Sequence, residues 1–167
     1  MKVESFILPE HEWVPNNPRL PVLIYRAAVD AASSEERAKA FEEAFKINGW
    51  PPQWRDGIYG YHHYHSTAHE ALGVAAGSAA LTIGGPGGRD IRVKAGDALV
   101  LPTGTGHRCL EASEDFLVVG AYPQGQDWDI CREAPIDDAR RRMAVLPIPG
   151  ADPIEGRIGA LTEQWTT

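Results

Sequence analysis

Between Gly57 and Ala121 the chain alternates short apolar runs with breaks carrying glycine, proline or aspartate. This texture constrains the fold more than any other feature. The runs Ile58–His65, Glu70–Ala75, Ala79–Ile83, Ile91–Lys94, Ala98–Leu101 and Phe116–Ala121 are rich in Val, Ile, Leu and Tyr. They are too short for buried helices and the right length for strands. Regular short strands separated by turn residues predict an all-β, antiparallel sandwich or barrel. Gly84-Gly85-Pro86-Gly87-Gly88 falls between two such runs. It lacks the Lys-Ser/Thr ending and the following helix of a phosphate loop, so it reads as a hairpin turn.

The flanks are of another kind. Phe6-Ile7-Leu8 and Val22-Leu23-Ile24-Tyr25, bounded by Pro9, Pro18 and Pro21, read as two further strands joined by an Asn-Asn-Pro turn. One helix is expected after them. Ser33 is a good N-cap with Glu36 three residues on, and Ala38, Phe41, Ala44 and Phe45 form a stripe at helical spacing until Gly49 and Pro51. From Pro123 onward Pro, Gly and charged residues predict an irregular tail wrapped on the barrel, with one short helix over Asp137–Met143. The expected organisation is a single domain over 1–167, with a core at 57–122, an N-terminal strand and helix extension at 1–56 and a C-terminal wrap at 123–167.

Four of the six histidines lie in HHYHSTAHE, from His62 to Glu70. On a strand, side chains two apart share a face, so His63 and His65 point the same way. His62 is out of phase and is expected to face away. His69, next to Glu70, is expected to point out as well; a bulge that let His69 replace Glu70 is the alternative. Glu70 and His107, the latter inside PTGTGHR, supply a carboxylate and a third imidazole, and such a set converging on one cavity is a metal site. Tyr59 and Tyr61 share the face of His63 and His65, and Cys109 and Glu111 share that of His107, so these four are expected to line the cavity. Tyr61 is the candidate catalytic hydroxyl, able to pass a hydrogen bond or proton to a bound substrate. Arg55, Arg89 and Arg108 could select an anion if they reached the mouth, though Arg108 is out of phase. Trp50, Trp54 and Trp128 could line an entrance, with packing between helix and barrel the preferred reading.

The spacing itself is specific. Gly57 is followed by His63-x-His65, Glu70 and Gly77, and Gly96 by Pro102-x-Gly104 and His107. This resembles both signature motifs of the cupin superfamily, and the phrases VPNNPRLPVLIY, GWPPQW and LPTGTGH resemble its small single-domain bacterial members of the YjlB-like type. The resemblance implies a jelly-roll barrel in which His63, His65, Glu70 and His107 bind one divalent metal. It departs at Glu111, where the second motif often carries Asn; that position is not a ligand. Imidazole and carboxylate suit Fe, Mn, Ni, Co or Zn, and a four-ligand set on a six-coordinate ion leaves two positions for substrate. By analogy the resemblance implies an oxygenase-like oxidation of a small molecule, with an isomerase or lyase close behind. The alternative is a non-catalytic module that binds or senses a small ligand. Single-domain cupins commonly dimerise through sheet edges, and Phe6-Ile7-Leu8 is the candidate for such pairing.

Composition narrows the partners. With 16 Lys and Arg against 23 Asp and Glu, the net charge is −7, which argues against nucleic acid and anionic membranes. No apolar stretch approaches a membrane span, so a cytoplasmic location is expected. Cys109 and Cys131 are too few for a disulfide framework and read as reduced thiols.

Overall fold

The computed structural model describes residues 1–166. Nine strands form two antiparallel sheets, a jelly-roll sandwich. The elements are β1 (Lys2–Phe6), β2 (Val22–Arg26), α1 (Ser34–Ile47), β3 (Pro52–Asp56), β4 (Glu70–Ala76), β5 (Ser78–Ile83), β6 (Arg89–Lys94), β7 (Ala98–Leu101), β8 (His107–Ala112), β9 (Leu117–Ala121), α2 (Asp137–Val145) and α3 (Ala160–Gln164). One sheet has six strands in the order β1-β2-β7-β4-β9-β3, and the other has three in the order β6-β5-β8. No helix among the described residues is long and apolar enough to cross a membrane.

The alternation of β4 sets the layers. Leu72 and Val74 face the space between the sheets, packed with Leu81, Ile83, Leu99 and Val118. Ala71 and Ala75 face the other way, packed with Phe41 and Phe45 of α1. The helix starts as expected: the Ser33 hydroxyl accepts from the Glu36 backbone N–H at 3.1 Å. It can lie close to the sheet because β4 presents Gly73 beneath the Phe41 ring, where a Cβ would come within 2.5 Å of ring carbon.

Three expectations need correction. Ile58–His65 is not a ladder strand; it is extended chain tied by two isolated bridges, His63 to His107 and Tyr64 to Cys131. The strand lies just before it, at β3, which pairs with β9 at the sheet edge. The tail carries the expected short helix as α2, but its last part is not irregular: the short α3 buries Ala160 and Leu161 against the α1 layer, with Trp165 beside them. Asp152 organises that tail: its carboxylate accepts from the Tyr25 hydroxyl at 2.5 Å and from the backbone N–H groups of Ile154 at 2.7 Å, Glu155 at 2.9 Å and Leu161 at 3.0 Å. Finally, the first edge strand ends at Phe6, so Ile7 and Leu8 lie beyond it.

Candidate metal centre

His63, His65 and His107 come together between the sheets. One ring nitrogen of each lies within 4.8 Å of the others, and all three residues are buried. Two backbone bonds hold His63 against His107, His63 N–H to His107 carbonyl at 3.2 Å and the reverse at 2.9 Å. The His65 carbonyl accepts from the backbone N–H of Gly104 and the hydroxyl of Thr103, both at 2.9 Å, so the loop that presents His107 also fixes His65.

The ring orientations share one logic. His63 Nδ1 lies 3.0 Å from the Tyr61 carbonyl, His107 Nδ1 lies 3.0 Å from the Thr105 carbonyl, and His65 Nδ1 contacts the Asp129 carbonyl. A carbonyl only accepts, so each Nδ1 carries a proton and each Nε2 is the atom directed at the cluster. This is how ligand histidines are held in metal sites. Burial, reinforced by His107 nearby, pushes His63 down to about 3, so it stands as the neutral imidazole a metal needs.

Glu70, the first residue of β4, is also buried here. Its Oε2 lies 3.1 Å from His65 Nε2, and its Oε1 lies 3.1 Å from His107 Nε2. Burial alone would raise its carboxyl; His65 and His107 outweigh that and hold it well below the usual carboxylate range. For His65, burial lowers the ring but the Glu70 carboxylate raises it more. Glu70 Oε1 has no hydrogen-bond donor among the described residues. A buried carboxylate oxygen without a donor, beside three imidazoles, has the chemistry of a cation site and is costly otherwise.

Sequence reasoning missed Tyr122. Ala71 pairs with Ala121, so the next residues outward, Glu70 and Tyr122, meet side by side. The Tyr122 hydroxyl donates to Glu70 Oε2 at 2.8 Å and accepts from Trp54 Nε1 at 3.0 Å. Gly120 makes room for Trp54: a Cβ there would fall 2.1 Å from the indole. No local pattern announces Tyr122, because its place depends on the pairing of distant strands.

The histidines open onto a cavity of about 380 Å³. Tyr59 lines it, as expected, and so do Trp54 and Trp128, whereas Trp50 is buried elsewhere and donates to the Ala151 carbonyl at 3.0 Å. Tyr61 does not line it. Its ring stacks on Tyr59 with centroids 4.8 Å apart, and Arg132 lies 3.8 Å from its centre. Cys109 and Glu111 do not line it either. Cys109 keeps the face of His107, since Ile83, Thr82 and Leu81 pair in step with residues 107 to 109, but it packs on the core between the sheets; the β5–β8 register shifts only beyond it, between Ala80 and Leu81, and Glu111 is exposed and pairs with Arg92 at 3.5 Å. The arginines stay outside: Arg55 pairs with Glu35 at 2.8 Å and Glu42 at 2.7 Å, and Arg89 lies over Phe6.

His69 points away from the cluster, as the alternation predicts, but it is fully buried rather than at the surface. Its Nδ1 accepts from the Thr103 N–H at 2.9 Å, its Nε2 donates to the Pro147 carbonyl at 3.2 Å, and its ring packs on Trp165. Both nitrogens are occupied, which removes it as an alternative to Glu70. His62 is half-buried outside the cluster.

A double-sheet barrel with three histidines converging between its sheets is the architecture of the cupin class. The chain belongs to the cupin family, and the Cupin domain family matches residues 52–119. It is 34% identical over 166 residues to "Uncharacterized protein YjlB" of Bacillus subtilis (strain 168), covering 98% of this chain and 97% of that one. Fainter structural likeness links it to a DUF861 family protein from Thermotoga maritima, at 17% identity and a TM-score of 0.35 over 59% of this chain and 96% of that one. An oxalate decarboxylase variant from Bacillus subtilis shows 19% identity and a TM-score of 0.37 over 73% of this chain and 30% of that one. Likeness at this level assigns no chemistry.

Proposed function

We propose that this cupin is a mononuclear metal-dependent enzyme acting on a small organic molecule, with His63, His65, His107 and Glu70 as the metal ligands. The observation that carries the reading is the pairing of three imidazoles, each with its Nδ1 held by a backbone carbonyl, with a buried Glu70 oxygen that has no donor. The donor set suits Fe, Mn, Ni, Co or Zn. Such an ion supplies Lewis acidity and, where redox-active, a route to oxidation. An oxygenase-like oxidation is the first reading and an isomerase or lyase the second. The chain's own contribution is to fix the ligands, wall the site with Leu72 and aromatic rings, and hold Glu70 in place through Tyr122.

One observation favours the alternative of a binding or sensing module. The Tyr122 hydroxyl is engaged on both sides, by Glu70 and Trp54, and Tyr61 does not line the cavity, which leaves the half-exposed Tyr59 as the phenol of the wall open to a substrate. Metal analysis after loading with each ion, followed by oxygen uptake and substrate screens, separates the two. The proposal expects about one ion per chain and loss of binding in the double variant His63→Ala, His107→Ala. A wild-type protein that retains no more metal than that variant refutes it. We further propose a homodimer through β1, which is paired on one side only.

A further inference from the structure

The cavity above the histidines is unusual in what it omits. No Lys or Arg lines it. Two arginines close in sequence to the wall are engaged elsewhere, Arg55 by Glu35 and Glu42 and Arg132 over the Tyr61 ring. The charged side chains in the lining, apart from the histidines, are both carboxylates, Glu70 at the cluster and Asp56 farther out. The remaining wall is apolar or aromatic: Trp54, Ile58, Tyr59, Leu72, Trp128 and Ile130 join Tyr122. Tyr59, Trp128 and Ile130 keep 50%, 40% and 43% of their surface exposed, so large apolar groups stand open to solvent around one cavity. Exposed apolar surface gathered at a concave site marks ligand binding. Trp128 is held flat, stacked on Tyr122 with centroids 4.5 Å apart and planes 6° from parallel.

From these observations we infer that the cavity selects an uncharged, mainly apolar or aromatic molecule carrying oxygen donors, and that Trp128 and Ile130 are its specificity-determining residues. The inference rests on the metal-centre reading for the seat of the oxygens and adds the class of molecule. A dianion would meet two carboxylates and no cation in the wall, and its desolvation would be met at the metal alone. A flat neutral ring would cover the exposed aromatic surface. Size agrees: a dry cavity of about 150 Å³ holds one benzene, so a site of about 380 Å³ has room for one or two rings.

The test compares catechol with oxalate. Both offer two adjacent oxygens; one is a neutral ring and the other a small dianion. Titration calorimetry is run on the zinc-loaded protein, where no oxidation follows, and on the metal-free protein. Catechol is expected to bind at least about tenfold tighter than oxalate. Trp128→Ala weakens catechol roughly three- to tenfold, the worth of one aromatic contact, with zinc content unchanged. Ile130→Arg, at a half-exposed position, tightens oxalate and weakens catechol. Oxalate binding as tightly as catechol to the wild type, or a Trp128→Ala protein with undiminished catechol affinity, overturns the inference. A chain that takes up no zinc defeats the metal reading instead. In that case Trp128-dependent catechol binding by the metal-free protein upholds the cavity assignment, and its absence overturns it.

Discussion

Replacing Tyr122 by Phe deletes one oxygen and leaves the ring and its stack on Trp128 in place. That oxygen makes two bonds, donating to Glu70 Oε2 at 2.8 Å and accepting from Trp54 Nε1 at 3.0 Å. Burial, and then the adjacent Glu70 charge, raise the phenol well above its ordinary range, so it is protonated and donating at every working pH. A bond to a carboxylate contributes about 2 kcal/mol and a neutral one about 1 kcal/mol. The variant should therefore lose about 3 kcal/mol. At roughly 2–4 °C per kcal/mol for a chain of this size, the metal-free protein should melt about 9 °C lower. Trp54→Phe removes only the neutral bond and should cost about a third as much. The loaded protein carries a second signature. Partners that orient a ligating carboxylate are worth about 10–100-fold in metal affinity, readable by competition with a fluorescent chelator. Calorimetric melting in chelator, followed by that competition, tests both halves. A Tyr122→Phe protein that melts with the wild type and keeps its metal affinity refutes the reasoning, because Glu70 would then need neither the donor nor the orientation.

Gly73→Ala should lower the urea midpoint by about 1–3 kcal/mol in stability with the m-value unchanged, since the new methyl meets the buried Phe41 ring at 2.5 Å. Burial pushes His69 from 6.5 down to about 4, with the Pro147 carbonyl opposing only in part. Its folded value lies below the unfolded one, so the stability it contributes is present above pH 6.5 and is lost as pH falls toward 4, about 3 kcal/mol in all. Urea titrations of metal-free protein across that window should show a slope that His69→Gln flattens. Asp152→Ala removes the acceptor of four bonds at once and should cost about 4 kcal/mol, releasing the tail to limited proteolysis at temperatures where the wild type resists.

β4, β5, β6, β7 and β9 were legible because each is a short apolar run with its own turn residues, and α1 was legible from Ser33 and its apolar stripe. β3 was not. Pro52, Gln53, Arg55 and Asp56 look like loop, and the segment is a strand only because it lies at an edge, where a proline and exposed charges are tolerated. α3 is five residues long, too short to hold alone, and exists through the burial of Ala160 and Leu161. At the site, the pairing of His63 and His65 was readable from alternation although no ladder strand forms there. Bridges to His107 on one side and Cys131 on the other keep the chain extended, and extension is all that the period of two requires. Alternation failed for Glu111 because a register shift intervenes, while Cys109 keeps the inward face but meets the core rather than the cavity. Tyr122 and the Asp129 carbonyl were out of reach, since both arrive from distant parts of the chain.

The neighbouring pair His69 and Glu70 shows how narrowly the site is specified. A slip of one residue in β4 would exchange them, placing an imidazole in the cluster and a carboxylate under Trp165. Pairing on both edges opposes this, with Glu70 set against Leu101 of β7 and Ala71 against Ala121 of β9. So does packing, because only Gly73 tolerates the Phe41 ring, and a slip would bring Leu72 or Val74 beneath it. Hydrogen bonding then separates the roles of the histidines. His63, His65 and His107 each have Nδ1 on a carbonyl and Nε2 toward the cluster. His69 has both nitrogens engaged, one by the Thr103 N–H of the very loop that braces His65 and presents His107. Its burial therefore braces the histidine cluster from behind. What the second ring nitrogen meets, the cluster and Glu70 for His63, His65 and His107 but a backbone carbonyl for His69, separates the proposed ligands from the strut more than the histidine count of the tract.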